Sequence, residues 1–513
     1  MTTRYTDNHL GAALCRTGLA TPQAPFLRDG RGQIIHSYAS FFANAERMAA
    51  VLVARGLQPG DRIAVQAPKT VAMLELYLGC VLAGGVFLPL NTAYTSEEVG
   101  YFLADAAPHI LVCDPDRAAQ ALALAEAHQV AHVLTIGTDE RGSLPELRDG
   151  QAPGFKPVAR SASDLAAILY TSGTTGRSKG AMLSHGALRS NAEILADYWG
   201  FGPQDRLINA LPIFHTHGLF VATNVTLMAG GSAVFMAGFD APAIVQAMRQ
   251  GATALMGVPT FYTRLLAAPG LARAARNMRL FISGSAPLLA ETHRAWHETT
   301  GHQILERYGM TETNMNTSNP LHGARKPGTV GLPLPGIEVT ITDPDTGRAL
   351  PQGEIGVIEV RGANVFSGYW NMPEKTAEEL RENGFFITGD LGQMDEEGYV
   401  SIVGRSKDLI ITGGFNVYPK ELELVIDTAP GVLESAVIGV AHPDFGEAVV
   451  AVVVPDPTSA IRPTPEIILA QAAAQLARFK LPKSVQILPE LPRNAMGKVQ
   501  KNLLRDQFAA LFG

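Results

Sequence analysis

A run of hydroxyl and glycine residues, YTSGTTGRSKG at residues 170–180, combines groups that bind phosphate. Glycines allow tight turns that expose backbone N–H groups, and successive exposed N–H groups and hydroxyls form a concave anion site. Lys179 adds a mobile positive charge. The run is not a Walker loop, because Ser178 and Gly180 flank Lys179, and it contains no G-x-G-x-x-G pattern. Since the same residue types are common in surface loops, a plain flexible loop is the alternative interpretation.

Further short segments contain residues suited to nucleotide chemistry, namely ERYGMTE at 306–312, TGD at 388–390, GR at 404–405 and PRNAMGK at 492–498. Taken singly, each has an ordinary structural interpretation. Asp390 could cap a turn, Glu312 could serve a helix N-terminus, and Lys498 could be a solvated surface lysine. Their occurrence together, in this order, favours a function over these alternatives.

The elements that position these segments alternate between strand and helix over residues 38–160 and again over 165–300. This alternation predicts largely parallel sheets covered by helices on both faces, an α/β fold. Glycine and proline become frequent from about residue 325, and short strands there predict a small antiparallel or barrel-like subdomain that extends to 404. The last segment has its own alternation of helix and strand, typical of a small α+β domain.

We therefore predict an N-terminal domain at 1–404, a hinge at 405–408 and a mobile C-terminal domain at 409–513. The 513 residues exceed what one ordinary core accommodates.

The composition excludes several classes of protein. Apolar residues make up 46% and charged residues 17%, which is not typical of a disordered chain, and the net charge of −7 argues against a nucleic-acid partner. Cys15, Cys80 and Cys113 form no C-x-x-C pair, so neither a zinc site nor a disulfide framework is indicated. Because we find neither a signal peptide nor an apolar run of roughly 18–20 residues, we expect a cytoplasmic protein without a membrane partner.

The motifs together are similar to those of the adenylate-forming enzymes, which include acyl-CoA synthetases, firefly luciferases and the adenylation domains of peptide synthetases. The match is collinear from about residue 30 to 505. The resemblance implies a two-step reaction: a carboxylate attacks the α-phosphate of ATP and expels pyrophosphate, and a thiol, usually that of CoA, then attacks the acyl-adenylate. ATP, Mg²⁺ and CoA are the expected small-molecule partners.

The resemblance also assigns the ATP site, which comprises Thr171, Ser172, Gly173, Thr174, Thr175, Gly176, Lys179, Glu306, Tyr308, Gly309, Thr311, Asp390, Arg405 and Lys498. Tyr308 would stack on adenine, and Asp390 would accept hydrogen bonds from the ribose hydroxyls. Glu312 would hold Mg²⁺, with the Thr175 hydroxyl as a further metal or phosphate ligand. Lys498 would bridge the α-phosphate and the attacking carboxylate, where negative charge accumulates.

The same resemblance places a CoA channel at Gly413, Gly414 and Phe415 and the hinge residue at Lys407. Rotation of the C-terminal domain would remove Lys498 from the site and bring in this loop for the second step. A hairpin turn is the alternative interpretation of the glycine pair. Lys498 is also the expected target of a lysine acetyltransferase, and acetylation would remove its charge.

The predicted acyl pocket resembles that of malonyl-CoA synthetases. The resemblance rests on three sequence segments, VPTFYTR at 258–264, SGSA at 283–286 and ERYGMTE at 306–312. In that subgroup an arginine at the position of Arg264, with a serine at that of Ser285, holds the distal carboxylate, for which a guanidinium is well matched. Arg307 is a second candidate, and a surface arginine is the alternative interpretation of Arg264. The predicted malonate site also includes His215, at the pocket mouth and in the catalytic set, together with Gly309 and Met310.

Two histidine pairs, His215 with His217 and His293 with His297, could be mistaken for metal sites. Neither has a convincing third ligand, so we expect no metal there. The segment 293–297 is more typical of an exposed helix face.

The sequence thus favours a malonate–CoA ligase. A ligase for another short-chain acid or dicarboxylate is the first alternative. An enzyme that loads a carrier protein is less favoured, since we expect no carrier domain before the chain ends at Gly513. A non-catalytic relative is disfavoured by the intact Glu312, Asp390, Arg405 and Lys498.

Overall fold

The computed structural model describes residues 5–171, 178–344, 346–412, 415–494 and 497–512. The chain divides into two compact units, Met1–Glu338 with Val360–Phe386, and Val339–Glu359 with Ile387–Gly513. About half of the predicted β-rich segment thus groups with the C-terminal part of the chain, and the boundary at 404 and the hinge at 405–408 stay predictions.

The helices are α1 His9–Ala20, α2 Tyr38–Ala54, α3 Val71–Leu82, α4 Ser96–Ala106, α5 Ala118–Ala127, α6 Ser143–Asp149, α7 His185–Tyr198, α8 Asn224–Ala229, α9 Ala241–Arg249, α10 Pro259–Leu266, α11 Leu271–Ala274, α12 Ala290–Thr300, α13 Pro373–Glu379, α14 Pro419–Ile426, α15 Pro465–Gln475 and α16 Lys501–Gln507. No helix of the described ranges is long and apolar enough to cross a membrane.

The strands of the first half are β1 Pro25–Arg28, β2 Ile34–Ser37, β3 Arg62–Gln66, β4 Val86–Pro89, β5 Ile110–Cys113, β6 His132–Thr135, β7 Leu165–Thr171, β8 Lys179–Ser184, β9 Arg206–Asn209, β10 Ser232–Phe235, β11 Ala254–Gly257 and β12 Leu280–Ser283. Those that follow are β13 Leu305–Met310, β14 Asn314–Ser318, β15 Leu332–Pro333, β16 Ile337–Thr342, β17 Gly356–Gly362, β18 Phe386–Met394, β19 Val400–Arg405, β20 Ile410–Thr412, β21 Phe415–Val417, β22 Val432–His442, β23 Gly446–Pro455 and β24 Ser484–Ile487.

Two sheets form the core of the first unit. One has the strand order β6-β5-β3-β4-β7-β8 and is parallel except at β7–β8. The other has the order β15-β14-β13-β12-β11-β9-β10-β1-β2 and is parallel from β13 to β1. Because helices cover parallel strands on both faces, β5 and β12 are buried along their whole length and read as continuous apolar runs. The predicted α/β fold class is confirmed.

Local signals account for where several helices begin. Ser37 and Ser40 form a reciprocal cap at the start of α2, and Thr95 and Glu98 do the same for α4. Each reciprocal cap satisfies two backbone donors that the first helical turn leaves without partners.

The second unit contains two smaller sheets. Strands β16-β17-β18-β19 follow one another in order, and β18 pairs with β19 in antiparallel register with Asp390 opposite Arg405. The other sheet has the order β21-β20-β23-β22, with β24 parallel to β23. Its apolar faces pack on α14 and α15 on one side and on α16 on the other.

The expectation of an exposed face at 293–297 is wrong for the first histidine. His293 is buried and its Nε2 lies 3.1 Å from the Ile304 carbonyl oxygen, whereas His297 is exposed. Trp296, between them, is fully buried with its ring edge-on to those of Tyr262 and Phe281. Helix α12 is therefore amphipathic, and its buried stripe includes His293.

Candidate active site

Strands β9, β11, β12 and β13 lie side by side and end at one edge of the larger sheet. Ligands of α/β proteins bind outside the carboxyl ends of such strands. The loop after β9 holds His215, the helix after β11 holds Arg264, the loop after β12 holds Ser285, and β13 itself holds Arg307. The sheet thus directs four residues of the predicted malonate site to one edge.

Arg307 is buried, with 3% of its surface exposed. Its Nε and Nη2 groups have no hydrogen-bond partner among the described residues. Burial lowers the pKa of Arg307 to about 9, so the guanidinium remains a cation at neutral pH. A Cβ atom on Gly284 would lie 2.5 Å from the Arg307 Cζ, so only glycine permits this approach of guanidinium to backbone. A buried cation with N–H groups to spare is suited to an anionic ligand.

The neighbours of Arg307 are neutral polar groups. Burial and the adjacent Arg307 charge lower the pKa of His215 to about 4 and that of His217 well below its usual value, so both rings are neutral at pH 7. The Ser285 hydroxyl lies 3.2 Å from the Nδ1 of His217. Ser285 has a φ of 72°, a left-handed conformation that few non-glycine residues adopt and that recurs at functional sites. Among the residues that the structure describes, no carboxylate forms an ion pair with Arg307.

Arg264 lies in the last turn of α10 and is exposed. Its guanidinium carbon is 5.7 Å from the centre of the Phe239 ring. The structure therefore brings Arg307, Ser285 and His215 together and leaves Arg264 in contact with solvent, while its assigned role stays a prediction. Gly309 and Met310 follow Arg307 on β13, where both are partly buried.

The predicted phosphate loop is described only at its ends. Thr171 ends β7 and Lys179 begins β8, opposite each other in antiparallel register. Ser172, Gly173, Thr174, Thr175 and Gly176 lie outside the described residues, so their assignment to ATP and that of Thr175 to the metal stay predictions.

The other residues of this unit that are predicted to bind ATP lie on β13 and in the turn after it. Tyr308 is buried, Glu306 accepts a hydrogen bond from the Leu288 N–H at 3.2 Å, and Thr311 is partly buried. A Cβ atom on Gly309 would lie 2.0 Å from the Asn314 carbonyl oxygen, so the irregular β13–β14 pairing requires glycine there. The roles of these residues in ATP binding stay predictions.

Glu312 lies in the turn between β13 and β14 and is buried. Its Oε1 accepts a hydrogen bond from the Tyr369 hydroxyl at 3.1 Å. Burial and the Glu312 charge raise the pKa of Tyr369, which keeps that hydroxyl protonated.

The described residues contain no cluster of three or more acidic, histidine or cysteine side chains able to hold a metal. A single buried carboxylate nonetheless fits Mg²⁺, which proteins often hold through one or two carboxylates plus substrate phosphates. Glu312 would then hold the ion, and the ion would neutralise phosphate charge.

The second unit brings several predicted residues together. Asp390 is buried, and its Oδ1 lies 2.8 Å from the Arg405 Nε. Lys498 is exposed as a residue, yet protein atoms crowd its ammonium group. That crowding and the charges of Arg405 and Lys407 lower the pKa of Lys498 to about 8, against the opposing effect of Asp390 and Asp408.

The predicted CoA segment is described only in part. Phe415 begins β21, is 55% exposed and stacks on the Phe479 ring at 4.7 Å between ring centres. Gly413 and Gly414 lie outside the described residues. Lys407 is exposed in the helical turn Ser406–Asp408. The CoA and hinge roles stay predictions.

Sequence reasoning missed Tyr369 and Glu379, which contact Lys179 from 190 and 200 residues further along the chain. It also treated His217 only as half of a spurious metal pair. No residue spacing that predicts a site occurs in the segment that contains Tyr369 and Glu379, GYWNMPEKTAEE. Only the folded chain brings these residues to Lys179.

Known proteins are similar to this chain along nearly its whole length. The family model described as AMP-binding enzyme matches residues 16–370, and that for the AMP-binding enzyme C-terminal domain matches 421–498. A feruloyl-CoA synthase from an Amycolatopsis species is 36% identical over 97% of this chain and 99% of its own length. A malonate–CoA ligase from Arabidopsis thaliana is 35% identical over 88% of this chain and 78% of its own length. The crystal structure of ATP-bound MatB from Rhodopseudomonas palustris is 58% identical, has a TM-score of 0.96, and matches over 99% of this chain and 100% of that one.

The chain belongs to the AMP-binding, adenylate-forming enzyme family. Within that family it is a CoA ligase, an acid–thiol ligase that acts on ATP, an acid and CoA.

Proposed function

We propose that this protein joins malonate to CoA through a malonyl-adenylate, giving malonyl-CoA, AMP and pyrophosphate. One observation supports malonate above all: the buried Arg307 guanidinium, with Nε and Nη2 lacking partners among the described residues. A bound acid with a second carboxylate supplies the missing counter-charge, whereas a fatty or aryl acid leaves the cation uncompensated. The similarity to the malonate–CoA ligase of Arabidopsis thaliana supports the same choice.

The two ends of malonate then have different fates. Arg307 binds the distal carboxylate, with Ser285 and His217 as neutral hydrogen-bonding neighbours. Arg264, at the end of α10, is the second candidate for this contact. With one end held by a charged pair, the other carboxylate is oriented for attack, and orientation of this kind supplies much of an enzyme's rate.

In the first step an oxygen of the free carboxylate attacks the α-phosphorus, and the bond to pyrophosphate breaks. The Lys498 ammonium, with Arg405 beside Asp390, provides positive charge for this step. In the second step the CoA sulfur attacks the acyl carbon, the thiol proton passes to solvent, and AMP leaves with the bonding electrons. Glu312 would hold Mg²⁺, which would neutralise phosphate charge.

The purified protein tests this proposal with ATP, Mg²⁺, CoA and malonate, each omitted in turn. We expect malonyl-CoA, AMP and pyrophosphate in equal amounts, measured by mass spectrometry and only in the complete mixture. Acetate, methylmalonate, succinate, sulfoacetate and benzoate serve as competing acids. A strong preference for acetate or benzoate would exclude malonate as the substrate while leaving the family assignment intact.

A further inference from the structure

The connection that precedes α13 ties the Glu312 turn to the start of β8. The Phe366 N–H donates to the Glu312 carbonyl oxygen at 2.8 Å. A little further along, Tyr369 forms an antiparallel bridge with Ala181 on β8. Since alternate residues of a strand point to the same face, Lys179 lies on the same side of β8 as Ala181. The backbone thus places the Tyr369 side chain next to the lysine that begins β8.

Lys179 is held in place from two directions. Its Nζ lies 3.2 Å from the Tyr369 hydroxyl, and 3.1 and 3.3 Å from the two carboxylate oxygens of Glu379. The ammonium also lies 4.2 Å from the centre of the Tyr369 ring, a cation–π contact. Only 13% of the Lys179 side chain is exposed. A lysine otherwise samples many rotamers, so these contacts order it before any ligand binds.

The charges around Lys179 leave it able to bind an anion. Lys375 lies 3.0 Å from the Glu379 Oε1, so two ammonium groups face one half-buried carboxylate. The other acid near Lys375 is Glu378, which is 65% exposed and therefore well screened by water. An ammonium has three N–H donors, and the two Glu379 carboxylate oxygens and the Tyr369 hydroxyl lie within hydrogen-bond distance of it. Lys179 thus keeps its positive charge, and a phosphate oxygen would share or replace one of these contacts, the longest being that to the Glu379 Oε2 at 3.3 Å.

The Tyr369 hydroxyl also connects the lysine to the proposed metal carboxylate. It lies 2.6 Å from the Glu379 Oε2 and 3.1 Å from the Glu312 Oε1. Its single proton can be donated to one carboxylate at a time, while its oxygen accepts from Lys179. The hydroxyl therefore forms part of one hydrogen-bonded chain from Lys179 to Glu312.

We propose that Tyr369 and Glu379 are positioning residues that hold the Lys179 ammonium ready for the β- and γ-phosphates of ATP. This inference rests on the proposed function, in which Lys179 binds those phosphates. Without the hydroxyl or the carboxylate, ATP has to order the lysine on binding and loses affinity accordingly. The acid substrate makes no use of this chain of contacts, so its binding is unaffected.

ATP binding by the full-length protein, measured by calorimetry with Mg²⁺ and without an acid, tests the proposal. Tyr369→Phe keeps the ring and removes only the hydroxyl, and Glu379→Gln keeps the shape and removes the charge. Each is expected to weaken ATP binding by roughly 3- to 10-fold, the effect of one hydrogen bond. The neighbouring Glu378→Gln is the matched control and should bind ATP as the wild type does.

A double-mutant cycle shows whether the two residues act through the lysine. In a Lys179→Met background, Tyr369→Phe and Glu379→Gln should each weaken ATP binding by less than 2-fold further. The KM for malonate in pyrophosphate exchange should stay within 2-fold of the wild-type value in both single variants.

Wild-type ATP affinity in Tyr369→Phe and Glu379→Gln, or an equal loss for ATP and malonate, would overturn the positioning role. If the unaltered protein bound no ATP, the proposed function itself would fail, irrespective of Tyr369 and Glu379.

Discussion

Replacing Arg307 by methionine should stabilise the fold and abolish the preference for malonate. Burial lowers the pKa of Arg307 from its usual value to about 9, and at 1.36 kcal/mol per tenfold change this shift opposes folding by up to ~5 kcal/mol at pH 7. A lowered pKa of a base destabilises the folded state at every pH below about 9, and the penalty declines only as the pH rises further. Methionine removes the buried charge and fills similar space, so the thermal unfolding midpoint should rise by a few degrees.

The same substitution removes the partner of the distal carboxylate. Hydrogen bonds to charged groups contribute about 1.5–3 kcal/mol, so kcat/KM for malonate should fall by roughly 10- to 150-fold, and kcat/KM for butyrate should fall much less. Arg264→Met, at the exposed arginine, is the matched control and should change the malonate value by less than 5-fold. A lower unfolding midpoint in Arg307→Met, with equal losses for malonate and butyrate, would show that Arg307 is structural. A large malonate-specific loss in Arg264→Met instead would identify Arg264 as the ligand.

Four further outcomes are expected. Lys498→Ala should slow ATP–pyrophosphate exchange by roughly 10²- to 10³-fold, the effect of one preorganised charge, and largely spare thioester formation from pre-made malonyl-adenylate; equal losses in the two half-reactions would contradict the hinge model. Because the pKa of Lys498 is lowered to about 8, the lysine loses its charge as the pH rises through that value, so exchange should decline above about pH 8, and Lys498→Arg should move this decline to higher pH. Stoichiometric acetylation of Lys498 should reproduce the alanine variant, and full activity of the acetylated protein would exclude that form of regulation. Gly284→Ala places a Cβ atom 2.5 Å from the Arg307 Cζ and should reduce kcat/KM for malonate by at least ~10-fold, with butyrate as the comparison acid.

The sequence predicted the fold class well because buried parallel strands leave a strong local signal. The strands Arg62–Gln66, Ile110–Cys113 and Leu280–Ser283 lie within the regions of predicted alternation, and each is a short run, mostly apolar, between turns or polar residues. The burial of His293 was not predictable in this way. An amphipathic helix shows its buried stripe only when its partners, here Tyr262 and Phe281, are known.

In the candidate site, too, local motifs suggested some residues, while contacts between distant segments could not be predicted. Motifs suggest roles for Glu312, Asp390 and Lys498 because a few residue types occur there in a fixed order, and these roles stay predictions. The contact of Lys179 with Tyr369 and Glu379 joins segments about 200 residues apart and depends on hydrogen bonds that no periodicity encodes. The sequence did not predict that Arg307 is buried and Arg264 exposed, because both arginines lie in motifs that suggest a malonate site. This difference in exposure depends on how the chain packs.

The central claim is that a buried cation selects an acid with a second negative charge. The most direct test is kcat/KM in ATP–pyrophosphate exchange for malonate relative to butyrate, which has a similar length and no distal charge. We predict a ratio of at least ~10 in favour of malonate, from the hydrogen bond of Arg307 to a carboxylate. A ratio near one, or a preference for butyrate, would contradict the claim.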